Sequence, residues 1–501
     1  MNPVPSHPIL TCAGAKTWAS GLLKDEAAEW AAMQRASAAI ATAIVQDFRE
    51  IGGLPDNARI LVLAGKGHNG GDALLAAKAI LEKYPQATAD VLPCFEEATL
   101  RPLAKRSLDE LRHVAGKRVN EVKTVGLKTE LASYDLCLDG VFGFQFRPAM
   151  EDTTAEILAW VNTHPRIRFR AAVDLPSGLG EQNAGTIFRA DFTYATGVVK
   201  SPVVATANAA YVGRLRYLDI GYFSAQMPES NERVLTEQIL SPLTALRQSQ
   251  SDKRTYGHLF VIGGSHSYPG AVVLAVRAAL HSGVGLVTAF VPEKLVPGYA
   301  AIHPEVMWVG CPLTAAGGLA RGTKDFVREH LARASAMLIG PGLGADPETL
   351  TVVRDIVLNR NIPLVIDADA LRPEVITAVG NKLFIATPHA GEYQRIAPAL
   401  SGTSQGVIVR KGPLTCVTDG KTTYCSPFGG PVLACGGSGD VLAGLTGGLL
   451  AQTPGDLALA ACRGVVWHGR AADLLARTHG QVSVETSQLL EQLGPALTPA
   501  T

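Results

Sequence analysis

The sequence predicts an α/β protein built as two three-layer αβα domains, and three observations carry that expectation. Short β-branched runs alternate with Ala/Leu-rich stretches at helical spacing along the whole chain, the pattern of parallel strands covered by helices on both faces. At 501 residues the chain is long for a single hydrophobic core. A polar stretch without periodicity, 226–245, separates two such series, and neither repeats the other.

In the first domain, 1–225, an Ala-rich helix at 27–48 precedes strands expected at 59–65, 89–95, 133–140, 169–178 and 190–197. The second domain, 246–501, opens with HLFVIGGS and continues through VGLVTAFV, AMLIGPGLG, PLVIDADAL, KLFIATPHAGE and GVIVRKGPLTCVTDG, then a helix in GDVLAGLTGGLLAQ. Lys+Arg at 45 balances Asp+Glu at 45, so no basic face is set aside for a polyanion, and neither nucleic acid nor a membrane surface is expected as a partner. The apolar stretch AVVLAVRAALHSGVGLVTAF is interrupted by Arg277, His281, Gly283 and Gly285, which excludes a single membrane span. The N-terminus lacks a basic segment followed by an apolar core. Eight cysteines without a CxxC pair read as buried thiols of a reducing, cytoplasmic compartment.

Chemistry in the first half gathers at strand ends. ILVLAGKGHNGGDALLAAKAIL places glycines 65, 67 and 70 between a strand and a helix, where backbone amides hold phosphates. A dinucleotide fingerprint also wants an acid at the end of the next strand, but Asp90 lies at its beginning. Asn69 and Asp72 project from the same turn, and two further strands end in Asp139 and Asp174. Asn69, Asp139 and the Ser177 hydroxyl form an oxygen-rich set suited to a hard cation, leaving Asp174 for proton transfer.

In the second half LACGGSGDVLAGL ends a glycine run with Asp440 at a helix start. Amides of Gly437, Ser438 and Gly439 there make a hole for developing negative charge, and Asp440 can accept a hydroxyl proton, an arrangement for phosphoryl transfer. GxSxG fails because Asp440 replaces its last glycine, and no GxxxxGK[ST] loop exists. His389 is a substrate contact or a structural histidine, with the two readings equally open.

GKGHNGGDALLAA, LDGVFGFQFRP, VDLPSG and TGVVKSP, in that order, resemble the N-terminal domain of NAD(P)H-hydrate epimerases over most of residues 1–225. The resemblance implies a Rossmann-like domain with potassium on Asn69, Asp139 and Ser177. It implies hydrate-binding positions at His68, Asn69, Gly70, Gly71, Asp72, Gly143, Phe144, Gln145, Phe146, Arg147, Pro148 and Ala149, and at Asp174. YGHLFVIGGSHSYPGAVVLA, GPGLG, VIDADAL, TPHAGE, KGPLT and GGSGDVLAG resemble the ribokinase-like ADP- or ATP-dependent NAD(P)H-hydrate dehydratases over roughly 253–452. That resemblance implies hydrate contacts at Ala271, Gly342, His389 and Asp440. Nucleotide contacts fall on Lys411, Gly412, Pro413, Leu414, Thr415 and Gly439, with Mg2+ accompanying ADP. His68 stands where the first family usually has Asn, Ala73 where it has Gly, and Arg372 where the second has Asn.

Together the resemblances imply one bifunctional, homo-oligomeric enzyme acting on the hydrates of NADH and NADPH. Its first domain would interconvert the R and S forms, and its second would dehydrate the S form at the expense of ADP, giving AMP and phosphate. A kinase for a small alcohol is the rival from the same fold, since GGSGD serves that chemistry equally well. A regulator that binds a nucleotide-like metabolite without turnover is the rival of a different class.

Overall fold

The computed structural model describes residues 4–122, 133–144, 150–183, 185–403 and 405–498. The chain divides into two compact units: a first, His7–Val234 with Ala476–Gln481, and a second, Leu235–Leu475 with residues 4–6 and 482–498. The division lies inside the polar stretch 226–245, which is itself structured: Val234 and Leu235 are buried in a strand, and Ile239 and Leu240 in a 3-10 segment.

The strands in chain order are β1 (Ser6–Leu10), β2 (Arg59–Ala64), β3 (Thr88–Pro93), β4 (Val119–Glu121), β5 (Tyr134–Gly140), β6 (Ile167–Val173), β7 (Phe192–Thr196), β8 (Val199–Lys200), β9 (Arg214–Leu218) and β10 (Glu232–Leu235). Seven of them form the sheet of the first unit, all parallel, in the order β4-β3-β2-β5-β6-β7-β9. Side chains alternate across a strand, so Ile60 and Val62 of β2 enter one core and Leu61 and Leu63 the other. Both faces are covered, which is why the strands read as unbroken apolar runs. Helix α1 (Cys12–Leu22) packs Ala15 against Val198 and Phe223, while on the first face lie α2 (Glu26–Asp47), capped by Asp25 accepting from the Ala28 amide, and α3 (His68–Lys83). The turn into α3 needs glycine: a Cβ on Gly65 would lie 2.0 Å from the Val141 carbonyl oxygen, and one on Gly70 2.1 Å from that of Gly65.

The second unit carries β11 (His258–Ile262), β12 (Leu286–Pro292), β13 (Met307–Cys311), β14 (Ala336–Ile339), β15 (Leu364–Ile366), β16 (Phe384–Ala386), β17 (Gly406–Arg410), β18 (Cys416–Thr418) and β19 (Thr423–Cys425). They run β13-β12-β11-β14-β15-β16-β17-β18-β19, parallel as far as β17 and antiparallel beyond it. Phe260 and Ile262 face a core with Val352, Ile356 and Ile376, while Leu259 and Leu338 meet Gly447 on the opposite face. That glycine belongs to a helix, Ser438–Gln452, which packs against another, Pro269–His281.

The fold class is the one expected. The run 406–420 holds two antiparallel strands, and the edge strand β13 was not foreseen. The cysteines are also not all thiols: Cys416 and Cys425, directly opposed in the β18-β19 hairpin with Cα atoms 4.2 Å apart, form a disulfide, while six others are free and five of those are buried. Opposed strand positions bring two Cβ atoms within bonding reach, a juxtaposition that linear spacing hides. Among the described residues no helix is long and apolar enough to cross a membrane.

Candidate active sites

The oxygen-rich set of the first unit is assembled at the carboxyl ends of β5 and β6. Asp139, fully buried, accepts from the Ser177 amide at 2.7 Å through one oxygen and from the Ser177 hydroxyl at 2.6 Å through the other. The Phe142 amide donates to that hydroxyl at 2.8 Å, and the Asn69 side chain donates to the Phe142 carbonyl at 2.9 Å. Asn69, Asp139 and Ser177 therefore meet around the Phe142 peptide. Burial pushes the Asp139 carboxyl up to about 6, with the Ser177 hydrogen bonds opposing it.

Beside this cluster lies a cavity of about 960 Å³, lined by His68, Asn69, Asp72, Gly143, Phe144, Asp174, Lys200 and Tyr222 among others. Asp174 follows β6 with φ +70, a left-handed conformation that a non-glycine residue holds only under constraint. The constraint is visible: its amide donates to the Tyr194 carbonyl, and its carboxylate pairs with the ammonium of Lys200, itself buried at the end of β8. Lys200 also lies over the Phe144 ring at 5.0 Å. His68 faces Glu29 at 3.4 Å across the cavity rim. Gln145, Phe146, Arg147, Pro148 and Ala149 lie outside the described residues. Asp90 is consumed structurally by Arg59 at 2.9 Å, the Tyr134 hydroxyl and Asn120.

In the second unit Asp440 stands in the first turn of helix Ser438–Gln452, entered through Gly437 at φ +90, where a Cβ would strike Leu274 at 2.4 Å. The helix ladder begins only with the Val441 amide on the Gly437 carbonyl, so the Gly439 and Asp440 amides precede it. The Ser438 amide reaches the Cys435 carbonyl at 3.4 Å and its hydroxyl the Leu433 carbonyl at 2.7 Å, so this residue shapes the turn. Asp367, buried after β15, accepts from Lys411 at 3.0 Å and from the Thr387 hydroxyl at 2.6 Å through one oxygen. The Lys411 ammonium would lie 3.2 Å from a Cβ on Gly439 and Asp367 Oδ2 3.9 Å, which puts all three at the helix entrance. Burial, then the charge of Asp367, pushes the Asp440 carboxyl up to about 7 against the pull of Lys411.

His389 bridges to Lys411 through the backbone, and its ring nitrogen accepts from the Gly391 and Glu392 amides as the cap of helix Ala390–Leu400. Its ring is nevertheless largely exposed. Gly342 and Ala271 are neighbours, a Cβ on the former lying 3.1 Å from that of the latter. Gly412 and Pro413 lie exposed beyond Lys411, and Leu414 and Thr415 are half-buried.

A family profile described as NAD(P)H-hydrate dehydratase matches residues 259–495, and one described as the YjeF-related protein N-terminus matches 30–201. The bifunctional NAD(P)H-hydrate repair enzyme of Moorella thermoacetica is 33% identical over 92% of this chain and 91% of its own length. That of Gloeobacter violaceus is 34% identical over 93% of each. This chain belongs to the bifunctional NAD(P)H-hydrate repair enzymes. Among solved structures, the ADP/ATP-dependent NAD(P)H-hydrate dehydratase of Bacillus subtilis, co-crystallised with ATP/Mg2+, is 27% identical, spanning 52% of this chain and 96% of that one at a TM-score of 0.45.

For this repair-enzyme chain, residue patterns alone overlooked the two lysine–aspartate pairs. Lys200 sits in an apolar run where a lysine is out of place, a signal that TGVVKSP carries in plain view. Asp367 gave a weaker signal, as one of two acids in a DAD turn. His468 was also missed: buried in helix Leu457–His479, its Nε2 meets the Ser438 carbonyl at 3.0 Å, and burial pushes it down to about 4, so it braces the glycine turn as a neutral ring.

Proposed function

We propose that the first unit epimerises R and S NAD(P)H hydrates and that the second dehydrates the S form with ADP. The observation that carries this reading is the meeting of Asp440, Lys411 and Asp367 at a glycine-entered helix start, a carboxyl poised near neutrality beside a lysine with donors to spare.

Asp440 takes the proton of the C6 hydroxyl as its oxygen attacks the β-phosphorus of ADP, and AMP departs. Lys411 and the leading helix amides balance the charge on the transferring phosphoryl group. The ring-nitrogen lone pair then expels phosphate, and loss of a C5 proton restores the reduced nicotinamide. Asp367 keeps Lys411 charged and in place. Among the described residues no group of three or more His, Cys, Asp or Glu side chains could hold a metal, so the reading puts Mg2+ on the nucleotide phosphates.

For the first unit, Asp174 moves the proton at C6. The donors around Phe142 fit potassium: one carboxylate and neutral amide, hydroxyl and carbonyl oxygens suit a hard monovalent ion better than a divalent one. Asn69, Asp139 and Ser177 would hold it, and it would supply a fixed positive charge that orders the loop.

The test is recovery of absorbance at 340 nm from mixed R and S NADH hydrates with ADP, ATP or no nucleotide. Complete recovery that requires ADP is expected. Recovery that stops at the S fraction removes the epimerase assignment, and none with either nucleotide removes the dehydratase in favour of a small-alcohol kinase.

A further inference from the structure

Asp72 has no task in the arrangement described so far. It stands one turn into α3 and lines the same cavity as Asp174, Lys200 and Tyr222. Its Oδ1 is buried without a hydrogen-bond partner, a cost that a purely structural carboxyl avoids. The groups facing it are Asp174, Lys200, Tyr222 and the Ser37 hydroxyl. Burial, and next the charge of Asp174, hold its carboxyl well above the usual range, whereas Asp174 is paired with an ammonium. One cavity thus holds two carboxyls in different surroundings, one unpartnered and one paired with an ammonium, the kind of contrast that separates acid from base.

We propose that Asp72 is a second catalytic residue of the first unit, the acid that protonates the departing C6 hydroxyl while Asp174 serves as base. The proposal rests on the epimerase reading. Inverting C6 means that oxygen leaves one face and returns to the other, which two groups from different elements accomplish and one group does not. The Asp72 proton passes to the hydroxyl oxygen, the C6–O bond breaks, the N1 lone pair forms an N1–C6 double bond, and water is released. Water then adds to the opposite face, the double-bond electrons return to N1, and the surplus proton passes to Asp174. Proton exchange with solvent resets both carboxyls, and nothing is oxidised or reduced. Lys200 is a positioning residue that holds the Asp174 carboxylate in place.

The experiment uses the intact chain with (S)-NADHX in 18O-labelled water and no nucleotide, following R-hydrate formation and label at C6 above the uncatalysed background. Wild type is expected to interconvert the isomers with one label gained per inversion. Asp72→Asn should lower kcat by about 100-fold or more with KM changed little, and Asp72→Glu should recover part of the loss. A full kcat in Asp72→Asn, an effect confined to KM, or inversion with the original oxygen retained overturns the proposal while leaving the epimerase reading standing. Wild type that fails to interconvert the isomers overturns both.

Discussion

In the first unit Asp174 pairs with Lys200 while Asp72 stands one turn into a helix; in the second Asp367 pairs with Lys411 while Asp440 stands in the first turn of one. Each helix is entered through a glycine, and each of these helix carboxyls is pushed up by burial and by its neighbouring aspartate. The lysines differ. Lys200 has 3% of its side chain exposed and lies over an aromatic ring, whereas Lys411 has 21% exposed at the start of an open loop. A sealed lysine is committed to its aspartate, but one at the surface has two donors left for a phosphate. On the proposed reading the same pair of charges serves proton transfer in one unit and phosphoryl transfer in the other.

The sharpest way to break this parallel is to neutralise one helix acid at a time. Asp440→Asn should lower ADP-dependent dehydration by about 10²- to 10⁴-fold, the range for a lost general base, and leave epimerisation unchanged. Initial rates with pure S hydrate and with pure R hydrate separate the two. Retained dehydration would end the comparison, because Asp440 would then be only a helix cap.

The lysines make the second test. Lys200→Met strands Asp174 in a closed site and should destabilise the first unit by about 3–5 kcal/mol, the cost of breaking a buried pair. Lys411→Met should cost less, since the Thr387 hydroxyl still serves Asp367, and should instead raise KM for ADP. Denaturant unfolding and ADP saturation curves would show the split, and equal stability losses would argue that exposure does not distinguish the lysines.

A third test is pH. Asp440 must be ionised to accept a proton, and its raised value of about 7 means that dehydration should fall about tenfold per pH unit below that point and level off above it. The profile in kcat/KM checks this, and a flat response from pH 5 to 8 would remove Asp440 as the base.

Much of this arrangement was legible because fully covered parallel strands are apolar throughout and end in glycine or acid, as RILVLAG and AMLIGPG do. The edge strand Met307–Cys311 was not legible, since four of its five residues are partly exposed and the run has neither clean alternation nor uniform apolarity. Asn69, Asp139 and Ser177 could be grouped because each follows a recognisable strand. The partnership of Asp367 with Lys411 spans 44 residues, and that of Asp174 with Lys200 spans 26, so each exists only once strand order brings two carboxyl ends together.

His68 offers the smallest effect and a check on how far the cavity rim matters. Its ring is 42% exposed and its contact with Glu29 is 3.4 Å, the geometry of a surface pair worth no more than about 1 kcal/mol. Asparagine keeps a polar group at the start of α3 and leaves the backbone amides that face the cavity in place. His68→Asn should therefore change KM for the hydrate by less than about fivefold and kcat hardly at all. A large loss of kcat would place the imidazole in proton transfer, and the contrast would then be between a three-group site in the first unit and the simpler acid-and-lysine site in the second.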